Sequence, residues 1–359
     1  MAHTHAYSDS RKLNSLQVLR AIAAMLVVVY HAQAYADIYV ARYGIESAFL
    51  NSTPEIARLG SCGVDIFFIL SGFIIAYTTK GKRGGLSGAC SFFMKRCLRI
   101  FPTYWFYTSA LVALQFVFPN LFHTAKLYFS EVVLSYLLIP YVPYGSNTSP
   151  VLQVGWTLTY EMYFYSLFAV LLYISSRFSI FWLGCFVFAC VSVGYVVDEK
   201  TPILNVITSP LIIEFYMGAL FAFYYRENHR NTYVSMFLIL LAIVWLFAWS
   251  VGGIRFSRIL EWGVPAFLMV VGFAMIEQRH YFVIPRSLVL AGDASYTIYL
   301  SNALLVPAFG KLSVRLGVWE HVSPDIWIIA VSVLCGVIGV VLYHAIEAPV
   351  SRFTRMRPA

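Results

Sequence analysis

The chain has 359 residues, of which 60% are hydrophobic and only 12% are charged. A soluble domain is closer to half apolar and a quarter charged, so this composition excludes an ordinary soluble enzyme and indicates a polytopic membrane protein. The formal net charge is +8. The basic residues lie in short loops between apolar stretches, which is typical of membrane orientation signals and argues against a nucleic-acid groove.

The first apolar stretch has two interpretations. The pair Arg11-Lys12, the apolar run 21–30 and the small residues after it are similar to a cleaved signal peptide. However, an arginine within the hydrophobic run is unusual for such a peptide, and cleavage would remove His31. We therefore favour an uncleaved first membrane span.

Apolar stretches long enough to cross a bilayer, about 20 residues each, occur ten times along the chain. They are predicted at 16–36, 62–80, 100–119, 152–174, 178–198, 203–226, 232–250, 258–276, 287–310 and 325–346. The apolar segment 131–140 is too short to cross and is predicted to be interfacial or re-entrant. The predicted fold class is therefore all-α, a polytopic helical membrane bundle of about ten transmembrane helices.

The basic residues predict which side the termini occupy. An even number of spans puts both termini on the same side, and with both inside, 16 Lys/Arg are cytoplasmic and eight are external. This excess favours an N-in, C-in arrangement. The predicted organisation is a cytoplasmic tail at 1–13, one membrane domain at 14–350 and a basic cytoplasmic tail at 351–359.

Arg20 and His31 lie in the same predicted span. Eleven helical steps separate them by roughly 16 Å along the axis and return almost to the same angle, so both side chains leave one face. Ionisable residues inside a membrane are costly and usually mark a functional path. The alternative for a single membrane histidine is a hydrogen-bonded packing residue.

The other intramembrane polar residues divide by predicted depth, with Glu214 near the middle of its span. Toward the inner end lie Arg20, Arg96, Arg99, Asp293 and Glu347. Toward the outer end lie His31, Asp65, Glu161 and Asn302.

The inner arginines are suited to phosphate groups, which they bind through charge-assisted hydrogen bonds. The loop lysines around them are explained as well by topology and anionic lipid. At the outer end, His31 is suited to take a proton from a hydroxyl if a neighbour fixes its tautomer. Glu161 and Asp65 are both candidates for that neighbour, although simple solvation at a helix end explains Asp65 equally well.

Cysteine usage predicts no further site. The six cysteines form no CxxC pair and no metal-ligand spacing with histidine. We expect neither a disulfide framework nor a metal site.

Six segments in order resemble the acyltransferase family 3 membrane proteins, over almost the whole chain. They are Arg20 with His31 eleven positions later, GVDIFFILSGF at 63–73, RCLRIFPTYW at 96–105, WTLTYE at 156–161, GDASYTIYL at 292–300, and Glu347-Ala-Pro349. The resemblance implies acyl transfer, commonly of acetyl from acetyl-CoA, to an extracytoplasmic carbohydrate. The absence of an appended hydrolase-like region makes the chain most similar to stand-alone members that modify exopolysaccharide or O-antigen.

The resemblance also implies roles for individual residues. Arg20, Arg96 and Arg99 would bind the donor. His31 and Glu161 would be the catalytic residues, with His31 as general base and Glu161 orienting the imidazole or stabilising its charge. The supporting positions are Asp65, Tyr104, Trp156, Ser295, Tyr299, Asn302 and Glu347. Where the family often has a histidine, this chain has Asn302, which cannot carry a proton, so we expect it to position another group. A covalent acyl-histidine relay stays open.

The expected partners are an acyl-CoA donor, a polysaccharide or lipid-linked glycan acceptor and the bilayer of a bacterial inner membrane, whereas homo-oligomerisation stays open. The sequence is also compatible with two other functions. A proton-coupled sugar or solute transporter would use His31, Asp65, Glu161 and Glu214 as its path, but the chain lacks the internal symmetry that many transporters show. A structural subunit of a polysaccharide export complex would tolerate substitution of Arg20 and His31.

Overall fold

The computed structural model describes residues 13–44, 58–80, 85–118, 127–144, 149–174, 179–198, 201–225, 231–252, 257–276 and 284–355. Within these ranges the secondary structure is helical and contains no strand. The α-helices are α1 (Asn14–Tyr43), α2 (Cys62–Thr79), α3 (Leu86–Val117), α4 (Phe129–Tyr136), α5 (Trp156–Ile174), α6 (Ser179–Val196), α7 (Pro202–Ile207), α8 (Leu211–Tyr224), α9 (Thr232–Gly252), α10 (Val264–Ile276), α11 (Arg286–Asp293), α12 (Ser295–Arg315), α13 (Pro324–Leu342) and α14 (Ala348–Arg355).

The helices confirm a polytopic membrane fold. In the described part of the chain, eight helical segments are long and apolar enough to span a bilayer. The apolar part of α6, Ile180–Val196, is shorter than these, and the predicted span 287–310 is divided at Ala294 into α11 and α12. The number of ten spans and the N-in, C-in orientation stay predictions.

The third predicted span begins earlier than expected. We placed its start at residue 100, whereas α3 begins at Leu86 and runs for 32 residues. Gly85, directly before the helix, adopts φ +96°, a conformation that glycine tolerates. No proline occurs from there to Pro102, so Arg96 and Arg99 lie inside a helix and not ahead of one.

Helix α1 runs beside α12 in the same direction. The Arg20 Nε atom donates to Ser295 Oγ at 3.2 Å. Further toward the C-terminal ends of both helices, the His31 ring contacts Asn302. From the first contact to the second, the residue number increases on both helices, so α1 and α12 are parallel. A first and a ninth span are parallel in the predicted ten-span topology, so this orientation agrees with it.

Helices α2 and α8 cross closely through glycines. A Cβ atom added to Gly72 would lie 1.9 Å from the Phe215 carbonyl oxygen, and one added to Gly218 would lie 2.0 Å from the Ile69 carbonyl oxygen. Small residues of this kind let membrane helices approach at backbone distance. The crossing fixes α2, which carries the side chains considered next.

We expect Gly72→Ala to lower the stability of the folded protein by about 1–3 kcal/mol, because the new methyl group pushes two rigid backbones apart. Thermal unfolding of the detergent-solubilised protein measures the change. Gly336→Ala is the matched control, since its nearest neighbour is the flexible Met25 sulfur at 3.1 Å. Equal midpoints for the two variants would contradict the role of this crossing.

Candidate active site

A cavity lies between α1, α2, α3, α5 and α12. Its polar and charged lining residues are Arg20, Ser71, Arg96, Arg99, Thr157, Glu161, Tyr165, Tyr296 and Tyr299. Its apolar lining residues are Val64, Phe67, Phe68, Leu70, Ile74, Ile100 and Leu158. All three predicted donor-binding arginines therefore line the same cavity as Glu161.

The cavity has two distinct ends along α2 and α5. In its middle, Ser71 Oγ donates to Glu161 Oε1 at 2.8 Å. Ile74 lies one turn beyond Ser71 on α2, and Tyr165 lies one turn beyond Glu161 on α5. At this end of the cavity the Arg96 guanidinium packs 5.6 Å from the Tyr165 ring centroid. In the opposite direction lie Val64, Phe67 and Thr157. We call these the arginine end and the aromatic end.

The arginine end carries an excess of positive charge. The guanidinium group of Arg96 also contacts the Phe92 ring, at 5.4 Å from its centroid. Arg99 lines the cavity and is exposed, so its guanidinium group is accessible to a ligand. Among the described lining residues there are three guanidinium groups and one carboxylate, that of Glu161, and this excess favours an anionic ligand, because arginine matches phosphate and carboxylate groups geometrically.

Glu161 does not lie where we predicted it. We expected it beside His31 at the outer end, as the group that orients the imidazole. It instead accepts hydrogen bonds from Ser71 and from Tyr165, whose hydroxyl donates to Glu161 Oε2 at 2.9 Å. Its side chain shares the cavity with the three arginines because α5 packs against α2 and α3.

His31 is oriented by Asn302. The His31 Nδ1 atom lies 2.7 Å from Asn302 Oδ1, while the Asn302 Nδ2 group donates to the Tyr299 carbonyl oxygen. A carbonyl can only accept, so the amide must present its oxygen to the imidazole, and Nδ1 must carry the proton. The neutral ring therefore keeps a free lone pair on Nε2, which is the form required of a general base.

Asp65 has a different partner that the sequence analysis missed. Arg258 donates to it twice, from Nε at 3.1 Å and from Nη2 at 2.9 Å. The Asp65 side chain is fully buried, whereas that of Arg258 is 37% exposed. Arg258 is the first residue of the predicted apolar span 258–276. A cation at that position was the feature from which the sequence could have indicated a partner for an intramembrane carboxylate. Asp65 is therefore neither a solvated helix end nor the orienting group of His31.

We expect Arg258→Met to destabilise the protein by about 3 kcal/mol, because it leaves a buried carboxylate without its cation. The double variant Asp65→Asn with Arg258→Met should recover part of this loss, and thermal unfolding of the three proteins measures it. The control is Arg315→Met at an exposed arginine near the end of α12. A single variant as stable as this control would show that the ion pair contributes little.

The remaining predicted residues support the framework of the cavity. Tyr299 is buried, and its hydroxyl donates to the Val154 carbonyl at 2.9 Å. Thr297, on the same helix, donates to Glu347 Oε2 at 2.5 Å. The Tyr104 hydroxyl donates to the Ser135 carbonyl at 2.9 Å and so fixes the segment around α4.

Two expected residues lie apart from the polar lining. The Trp156 ring packs edge-on against Phe68, at 6.3 Å between centroids. Glu214 is fully buried and lies beside the Asp65–Arg258 ion pair. Across those same ranges, no group of three or more His, Cys, Asp or Glu side chains could hold a metal ion.

Comparison with known proteins shows the family of this chain. Residues 13–345 match the acyltransferase family 3 description "Acyltransferase domain". The chain is 30% identical over 312 residues to the "Exopolysaccharide production protein ExoZ" of Rhizobium meliloti (strain 1021), covering 83% of this chain and 92% of that protein. It is 29% identical over 334 residues to "Nodulation protein 10" of Rhizobium leguminosarum bv. viciae, covering 85% of this chain and 86% of that protein.

No solved structure matches the chain. The family match covers nearly the whole sequence, including every residue that lines the cavity and the His31–Asn302 pair. The chain therefore belongs to the acyltransferase family 3 of membrane proteins.

Proposed function

We propose that this protein is a membrane O-acyltransferase that moves an acetyl group from cytoplasmic acetyl-CoA to a hydroxyl of an exported or surface polysaccharide. The observation that carries the proposal is the cavity with three arginines at one end, together with the contact between Asn302, one helical turn from the lining residue Tyr299, and the His31 imidazole. The name of the Rhizobium meliloti relative supports a polysaccharide acceptor.

The arginine end suits the phosphate groups of coenzyme A. Arg20, Arg96 and Arg99 come from α1 and α3, so the binding of one polyanion would bridge two helices. Charge-assisted hydrogen bonds from guanidinium groups are stronger than neutral ones and are often bidentate. The pantetheine arm would then extend past Ser71 and Glu161 toward the aromatic end and present its thioester there.

His31 would act as general base on the acceptor hydroxyl. Its Nε2 atom takes the hydroxyl proton while the hydroxyl oxygen bonds to the acyl carbonyl carbon. The C–S bond of the thioester then breaks, and the proton passes from His31 to the departing coenzyme A sulfur. The products are an O-acyl ester and free coenzyme A. Asn302 positions His31 by holding its Nδ1 proton, a task that needs no titratable group.

Glu161 would have a different task from the one first expected. Its carboxylate lies in the cavity with the three arginines and holds Ser71 and Tyr165 by hydrogen bonds. We assign it to keeping these two hydroxyl groups in place and to limiting the Coulomb repulsion among the guanidinium groups that line the same cavity.

Transfer of label from radioactive acetyl-CoA tests the proposal. Membranes containing the protein are supplied with [14C-acetyl]-CoA and with extracellular polysaccharide from a strain that lacks the protein. We expect alkali-labile label in the polymer, as an ester requires. Uptake of sugar or solute without any esterified label would favour the transporter alternative and overturn the proposal.

A further inference from the structure

Two aromatic rings, those of Phe67 and Tyr299, lie at the aromatic end of the cavity. Phe67 lines the cavity beside Tyr299, and their ring centroids are 5.9 Å apart in an edge-on contact. Neither His31 nor Asn302 lines the cavity. Tyr299 and Asn302 lie one helical turn apart on α12, so the two rings stand between the donor cavity and the catalytic pair.

The two rings differ in how firmly they are held. The Tyr299 hydroxyl is tied to the Val154 carbonyl and lies 2.9 Å from the Thr157 hydroxyl, and the side chain is buried. Phe67 has no polar atom and is only partly buried. Of the two, Phe67 is therefore the ring that a substituent can displace.

Phe67 also occupies a junction in the packing of the bundle. The described hydrophobic residues form three core clusters, and Phe67 packs against all of them. The third cluster includes Val28 and Ala32, which lie on α1 within one turn of His31. The size of this one side chain thus limits the space between the aromatic end and the helix that carries the base.

Resting on the proposed function, we propose that Phe67, backed by Tyr299, sets the length of the acyl group that reaches His31. Val64 lies one turn from Phe67 on α2 and lines the same end. An acetyl group needs only a methyl-sized space between these side chains, whereas each additional methylene must displace the Phe67 ring. A hydrophobic pocket discriminates one methylene by about 1–3 kcal/mol, so the selection between short and long chains is large.

Substitution of Phe67 tests this proposal. Wild type, Phe67→Leu and Phe67→Ala are assayed in membranes with acetyl-CoA, butyryl-CoA and hexanoyl-CoA, and kcat/KM is measured for transfer to the polysaccharide. We expect the hexanoyl-to-acetyl ratio to rise roughly tenfold or more in Phe67→Ala, with a smaller rise in Phe67→Leu. Val64→Leu narrows the same end and should lower the butyryl-to-acetyl ratio.

Ile74→Ala is the matched control, because it enlarges the same cavity at the arginine end, two turns away on α2. It should leave the ratio near the wild-type value. Unchanged ratios in the Phe67 and Val64 variants, or an equal rise in Ile74→Ala, would overturn the proposal. If the wild type transfers acetyl while the ratios do not respond, only this inference fails. If the wild type transfers no acyl group from any donor, the proposed function itself fails.

Discussion

His31→Ala is expected to reduce acetyl transfer by at least about 10²-fold while the protein still folds and inserts. Alanine removes the Nε2 lone pair, so the acceptor hydroxyl has no group to take its proton. The loss should appear in kcat, because neither the arginine end nor Ser71 and Glu161 are altered. Initial rates of label transfer at saturating acetyl-CoA measure it, with yield of the membrane protein as the check on folding.

The control for this variant is His344→Ala, which makes the same change at an exposed histidine. It should keep the wild-type rate. Asn302→Leu adds an independent measurement, since it leaves the imidazole in place but removes the oxygen that accepts from Nδ1. Its rate should fall less than that of His31→Ala. Full activity of His31→Ala would remove the residue from catalysis.

Arg99→Ala is expected to raise KM for acetyl-CoA about tenfold or more, with a smaller change in the dependence on acceptor. The guanidinium lines the cavity and is exposed at its arginine end, and one hydrogen bond to a charged group contributes about 1.5–3 kcal/mol. Initial rates over a series of acetyl-CoA concentrations measure the change. The same series in high salt should show a smaller difference, because ions screen exposed charges.

Lys95→Ala is the matched control for Arg99. It removes one positive charge from the same helix, yet Lys95 is exposed and does not line the cavity. A donor-binding role for Arg99 requires that KM change in Arg99→Ala and stay near wild type in Lys95→Ala. Equal effects would show that the basic residues act through the general charge of the surface, or through lipid, and not through contact with the donor.

The candidate site could be predicted in part because depth along a helix can be read from position in the sequence. The spacing of Arg20 and His31 predicted that the two side chains lie at different depths of one helix, and both residues lie on α1, eleven positions apart. Asn302 was expected to position another group, and its amide indeed holds His31. These inferences needed only the rise per residue and the chemistry of each side chain.

An all-helical membrane fold and the residue types available for acyl transfer could be predicted from the amino-acid sequence alone. Long apolar stretches must become helices in lipid, where every backbone polar group needs a partner within its own segment. Which side chains contact each other depends on the packing of the helices: Asn302 and not Glu161 contacts His31, and Arg258 pairs with Asp65. The rotation of each helix about its axis cannot be predicted from the sequence alone, because that angle is set by packing against helices distant in the chain.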